Sequence, residues 1–254
     1  MVCAGEHTYS PLIRVVTLAE PLDQTGLLCN PFYETREPLG RDKKGNPRVS
    51  PGQLIWAHQV YPPTRPMIIE VQGYDPRDTS KTSYVFRKYD PAKPPGLHFP
   101  VKELNLRSDE NLYVMQGKLR PAIVLQTITT NYYNQQNPEP YVWTAPCFSF
   151  KEKHKQDYRC RIAAMQFPHL FYLPAHQSGF SEEGVLRFEH IQPVAADGVQ
   201  PLFCNGKQSF LSDSAWAVLQ HRLSLFMTGK VLDAPMEETL RAYAECLLEA
   251  YGLR

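Results

Sequence analysis

From Gly52 onward the sequence is cut into short pieces, and no fold with long helices can be built from them. "QLIWAHQV" (53–60), "PMIIEVQG" (66–73), "TSYVFRKY" (82–89), "LRPAIVLQ" (119–126) and "YVWTAPCFSF" (141–150) are followed by "YRCRIAAM" (158–165), "HLFYLPA" (169–175) and "VLRFEHIQPV" (185–194). Each is rich in β-branched and aromatic residues, and turn-forming residues separate them. The expectation is an all-β body, a small barrel or a strongly bent sheet. Proline sharpens it: 23 of 254 residues is about 9%, against a usual ~5%. The clusters "YPPTRP" (61–66) and "YDPAKPPGLHFP" (89–100) belong to irregular or sheet-edge segments, because proline donates no ladder hydrogen bond.

Three regions follow from this pattern. Residues 1–51 hold one apolar run, Leu12–Ala19, and a charged, Gly/Pro-punctuated stretch that reads as an exposed arm. Residues 52–194 form the β body, with an insertion at about 60–116 in which "PMIIEVQG" and "TSYVFRKY" pair as an extra hairpin. Residues 195–254 read as a helical extension. Trp216, Leu219, Leu223 and Phe226 recur at helical spacing before Gly229, and Leu240, Tyr243, Leu247 and Tyr251 do so before Gly252. Both stripes need a surface to cover, the β body or a second subunit.

The formal charge is +1, so no global field gathers nucleic acid and any such binding rests on a local patch. The six cysteines show no metal spacing and no C-x-x-C pair, so neither a metal nor another cofactor is expected. No run reaches the ~18 apolar residues of a membrane span, and the N-terminus has no apolar signal core. The expectation is a cytoplasmic protein with buried, inert thiols.

Arg120 is the one odd residue of the "GKLRPAIVLQ" segment. It precedes Pro121, which pushes it toward extended backbone, and it stands at the mouth of an apolar strand. Two readings stay open: a structural arginine paired with a carboxylate, or a cation held ready for an anionic ligand. A second basic feature is "KEKHKQDYRCR" (151–161), with five Lys/Arg against Glu152 and Asp157. Lys151, Lys153 and His154 there are either phosphate contacts or a solvated loop. Tyr132, Tyr133, Tyr141 and Trp143 either stack bases or pack in a core or dimer contact.

Three segments in order, "GQLIW" (52–56), "GKLRPAIVL" (117–125) and "APCFSF" (145–150), resemble the MazF/PemK family of toxins from toxin–antitoxin pairs. "VLRFEHIQPV" is similar to that family's later strand. The resemblance covers roughly residues 52–194 and implies an SH3-like barrel, a homodimer and a cognate antitoxin. It also implies metal-independent cleavage of single-stranded RNA, with Arg120 neutralising the scissile phosphate through a fork matched to its oxygens. Relatives of the CcdB type bind a protein target instead, so a catalytically inactive module that binds protein or nucleic acid is the alternative. The match departs at the family's catalytic hydroxyl, whose place is taken by Phe148. Ser149 fits the following position, and strand alternation turns it to the other face unless a bulge re-aims it. His176 falls where relatives keep residues near the substrate groove. The resemblance thus implies Arg120 and Ser149 as catalytic candidates, and Lys151, Lys153, His154 and His176 as substrate contacts.

Overall fold

The computed structural model describes residues 29–61, 67–73, 77–78, 81, 83–90, 92, 113–129, 140–151 and 154–253. The run Leu12–Ala19, the pair Tyr132 and Tyr133, and Lys153 lie outside the described residues. The chain divides into two compact units, Met1–His58 with Leu119–Arg254, and Gln59–Lys118.

Both units are built mainly from strands. The first half of the chain supplies β1 (Tyr33–Arg36), β2 (Leu54–Val60), β3 (Met67–Gly73), β4 (Ser83–Lys88) and β5 (Tyr113–Val114). Two long strands follow, β6 (Gly117–Thr129) and β7 (Pro140–Ser149), and then helix α1 (Gln156–Ala163). After β8 (Leu170–Leu173), β9 (Gly184–Arg187), β10 (Gln192–Ala195), β11 (Val199–Pro201), β12 (Phe203–Cys204) and β13 (Lys207–Leu211), the chain closes with α2 (Asp213–Thr228) and α3 (Ala234–Ala250).

In the larger unit the main sheet has the order β11-β2-β6-β7-β9-β8, with β10 added on β7. Its outer strands do not pair with each other among the described residues, so the sheet is open where the sequence suggested a closed barrel. One edge strand, β8, packs against α1 instead of a further strand. The β6–β7 ladder is antiparallel and runs from Ala122↔Pro146 to Thr129↔Pro140, with a bulge between Val124 and Gln126. A second, three-stranded sheet has the order β1-β13-β12, joining Tyr33 to Leu211. The last sixty residues therefore carry three strands before their helices, too short to register as a pattern in the sequence.

The segment "YRCRIAAM", expected as a strand, is the end of α1 and the turn after it. Gln156, Arg159, Arg161, Ala163 and Ala164 are good helix formers, and they outweigh the lone β-branched Ile162. Asp157 in the first turn suits the helix dipole. The final two helices match their spacing. Ser212 caps α2 by accepting from the Ala215 amide at 3.3 Å, and Gly229, at φ 69°, ends it in the left-handed conformation. Asp233 caps α3 through the Met236 amide at 3.0 Å.

The sheet is packed on both faces. Leu54, Ile123, Ala145 and Cys147 face a core shared with Ala215, Leu219 and Leu240 of the two helices. Their strand neighbours Ile55, Ala122, Val124 and Val142 fill a smaller core with Val199. Between the helices, His221 meets the Glu237 carboxylate at 2.9 Å, and Arg222 donates to the Met165 carbonyl at 2.9 Å. No helix among the described residues is long and apolar enough to cross a membrane. Because Leu219 is completely buried on α2, Leu219→Ala should destabilise the protein by about 2–5 kcal/mol in urea unfolding. A loss under 1 kcal/mol would mean that α2 is not integral to the core.

The smaller unit is a three-stranded antiparallel sheet of order β4-β3-β5. Its β3–β4 hairpin sets Ile69 opposite Phe86 and Met67 opposite Lys88.

Candidate arginine–aromatic site

Arg120 stands on β6 two residues before Ala122, whose partner on β7 is Pro146. Continuing that register places Arg120 across from Phe148 on the same face of the sheet. The side chains bear this out: the Arg120 Cζ lies 4.6 Å from the Phe148 ring centroid. On the other flank, β9 pairs Val185 with Phe148, so Arg187, two residues on, shares that face diagonally. Its Cζ is 5.5 Å from the same ring. The chain then turns through a short 3₁₀ segment, Phe188–His190, which sets the His190 ring 5.6 Å from Phe148. Two guanidinium groups and an imidazole thus converge on one half-buried phenyl ring.

The group is rich in cationic side chains, and Arg187 carries a carboxylate partner. Arg187 donates to Glu189 Oε1 at 2.7 Å through Nε and approaches the same oxygen at 2.5 Å through Nη2. Burial lowers the pKa of Arg120 from its usual value, yet a guanidinium keeps its charge at any working pH. His190 is also pushed down, chiefly by burial and then by the Arg187 charge, with Arg120 adding to it against the opposing pull of Glu189. It is therefore a neutral imidazole near pH 7, able to accept a proton.

Gly184 allows this arrangement. A Cβ there would lie 2.8 Å from the Phe148 carbonyl oxygen, a backbone atom that cannot step aside without moving β7. Only glycine lets β9 approach closely enough to bring Arg187 beside Phe148.

The other candidates are placed elsewhere. The β7–β9 register from Cys147↔Leu186 to Ser149↔Gly184 is unbroken, so no bulge re-aims Ser149. Alternation leaves it exposed on the face away from Phe148. His154 Nδ1 accepts the Lys151 amide at 2.9 Å, and its ring packs against Phe150 and Tyr158 at 5.8 Å. Lys151 is exposed beside it. Two of the five cations of the basic run are engaged in local structure: Arg159 bonds Glu183 at 2.9 Å, and Arg161 bonds Gln166 at 2.9 Å. Glu183 in turn accepts the Tyr172 hydroxyl at 2.5 Å. His176 Nδ1 accepts the Ser178 amide at 3.1 Å, and its ring stacks on Tyr33, closing a turn.

Sequence reasoning passed over Arg187, Glu189 and His190, although they lie inside the segment 185–194. The signal was there: an arginine two residues beyond Val185 shares that residue's face, beside the strand carrying Phe148.

Among the described residues no three His, Cys, Asp or Glu side chains gather as a metal site. The buried thiols of Cys29, Cys147 and Cys160 are all shifted up by burial, Cys160 to about 11, which keeps them protonated and unreactive at neutral pH. An apolar recess lined by Cys29, Phe32, Met165, Phe171, Val218 and Tyr243 shares no residue with the arginine group. Comparison with known protein families, curated proteins and solved structures gives no match to the chain.

Two outcomes are expected. In an NMR titration His190 should show a midpoint below the ordinary value near 6.5, and Arg187→Ala should move it upward by removing a repelling charge. In that window the unfolded chain binds the proton first, so the His190 contribution makes stability fall as pH drops below about 6.5. Gly184→Ala should cost about 1–3 kcal/mol in thermal or urea unfolding by forcing β9 from β7. An unchanged midpoint would show that the strands separate freely.

Proposed function

We propose that the protein binds single-stranded RNA through the phosphodiester, as a MazF/PemK-like module that has lost the family's catalytic hydroxyl. The observation that carries this is the convergence of Arg120 and Arg187 on Phe148, the residue standing where the family keeps that hydroxyl. Guanidinium forks suit phosphate oxygens, and a ring beneath them fixes their planes without neutralising them. The family likeness rests on the three ordered sequence segments. In this reading β2, β6, β7 and β9 are an opened form of the family's SH3-like barrel. The partners are then a second copy of the chain and a cognate antitoxin.

A second reading, metal-independent endoribonuclease activity, is favoured by His190. A neutral imidazole beside two guanidinium groups can take the proton from a 2′-hydroxyl as that oxygen attacks phosphorus. The 5′-oxygen then leaves with a proton from water.

Anisotropy with a labelled mixed-sequence RNA of twelve nucleotides separates these readings. Arg120→Ala and Arg187→Ala should each weaken binding about tenfold or more, across sequences, and lower the salt slope by about 0.7 per lost phosphate contact. Equal affinity in wild type and both variants would refute the binding reading. Cleavage by the wild type in EDTA, abolished by His190→Ala and by Arg120→Ala, would establish the nuclease instead. Phe148→Thr restores a hydroxyl. A folded Phe148→Thr protein, checked by thermal melt, that binds RNA without cutting it would support the module.

A further inference from the structure

In the smaller unit, β4 turns Tyr84, Phe86 and Lys88 to one face, since residues two apart share a side of a strand. The two rings are 53% and 58% exposed, on a sheet whose opposite face buries Ile68 completely. Large aromatics this open on a regular strand contribute little to folding, and here they stand in a row that ends in an exposed cation. The row backs onto Met67 and Ile69 of β3, which are paired with Lys88 and Phe86, so an ordered strand holds it in place.

We infer that this row is a stacking platform for single-stranded RNA, two bases lying on Tyr84 and Phe86 with a neighbouring phosphate at Lys88. The inference rests on the RNA-binding reading above and adds to it a second, separate site. Strand geometry sets the rings about 6.8 Å apart. That is twice the ~3.4 Å between nucleotides along one strand of a duplex, so each ring takes a base that has left its neighbour. A duplex cannot offer such bases. Aromatic stacking tolerates any base, and Lys88 supplies the charge complementary to the backbone that joins them. A protein partner would draw on the rings but not require the cation at their end.

The test uses the full chain and the same labelled twelve-nucleotide RNA. Tyr84→Ala and Phe86→Ala should each weaken binding about 5- to 100-fold, with Tyr84→Trp and Phe86→Trp retaining it. Lys88→Ala should reduce the salt slope while the ring variants leave it unchanged. Both rings are exposed, so thermal melts should match wild type. A Tyr84→Ala/Phe86→Ala double variant that binds as wild type overturns the platform; if Arg120→Ala still weakens binding, the arginine site stands alone. Loss in the double variant with none in the arginine variants leaves the platform standing and removes the arginine site. No binding by wild type removes both. A change of native mass in the double variant, with RNA affinity intact, would make this face a contact between copies of the chain.

Discussion

Everything in the larger unit depends on β7 being sandwiched. It is hydrogen-bonded to β6, β9 and β10, and its residues alternate between two separate apolar cores, Ala145 and Cys147 to one, Val142 to the other. A strand buried on both faces leaves no place for a charge until its end, where the smaller core stops. Beyond it Phe148 packs against a further apolar cluster that includes Cys160, Leu170, Tyr172 and Val185, and Arg120 and Arg187 approach its ring from the strands on either side. The candidate site is thus the boundary of a core.

That position explains the electrostatics. Partial burial depresses His190 first by desolvating its charged form and then by letting the guanidinium groups repel it, Arg187 more than Arg120. Glu189 holds Arg187 in place and keeps the group from being purely repulsive. In the proposed reading, such a group takes an anion that approaches from outside rather than one that must be buried.

Much of this was legible in the sequence, and the remainder was hidden for definite reasons. Most apolar runs declared themselves as strands because β-branched and aromatic residues fit a pleated, half-buried surface. "YRCRIAAM" misled because Tyr158, Cys160 and Ile162 alternate like a strand while the residues between and after them favour helix. The β1–β13 pairing joins Tyr33 to Leu211, far apart in the chain, which local pattern does not report. Phe148 was visible as a substitution, and its consequence for Ser149 followed from alternation alone. His154 and His176 looked available because a sequence displays an imidazole without the amide that claims its nitrogen. Arg187 needed the register of β9 on β7, a fact of pairing.

The bulge in β6 has a consequence for how such a chain can change. Before it, Ala122 and Val124 face the smaller core; after it, the phase shifts, and Thr127 takes the side that even-numbered residues held before. The strand therefore carries two independent registers joined at Leu125. Lengthening or shortening the segment beyond the bulge can be absorbed there, as slack in a hinge is absorbed, without turning Arg120 off its face. The far end of the β6–β7 ladder can therefore vary while the arginine end stays aimed.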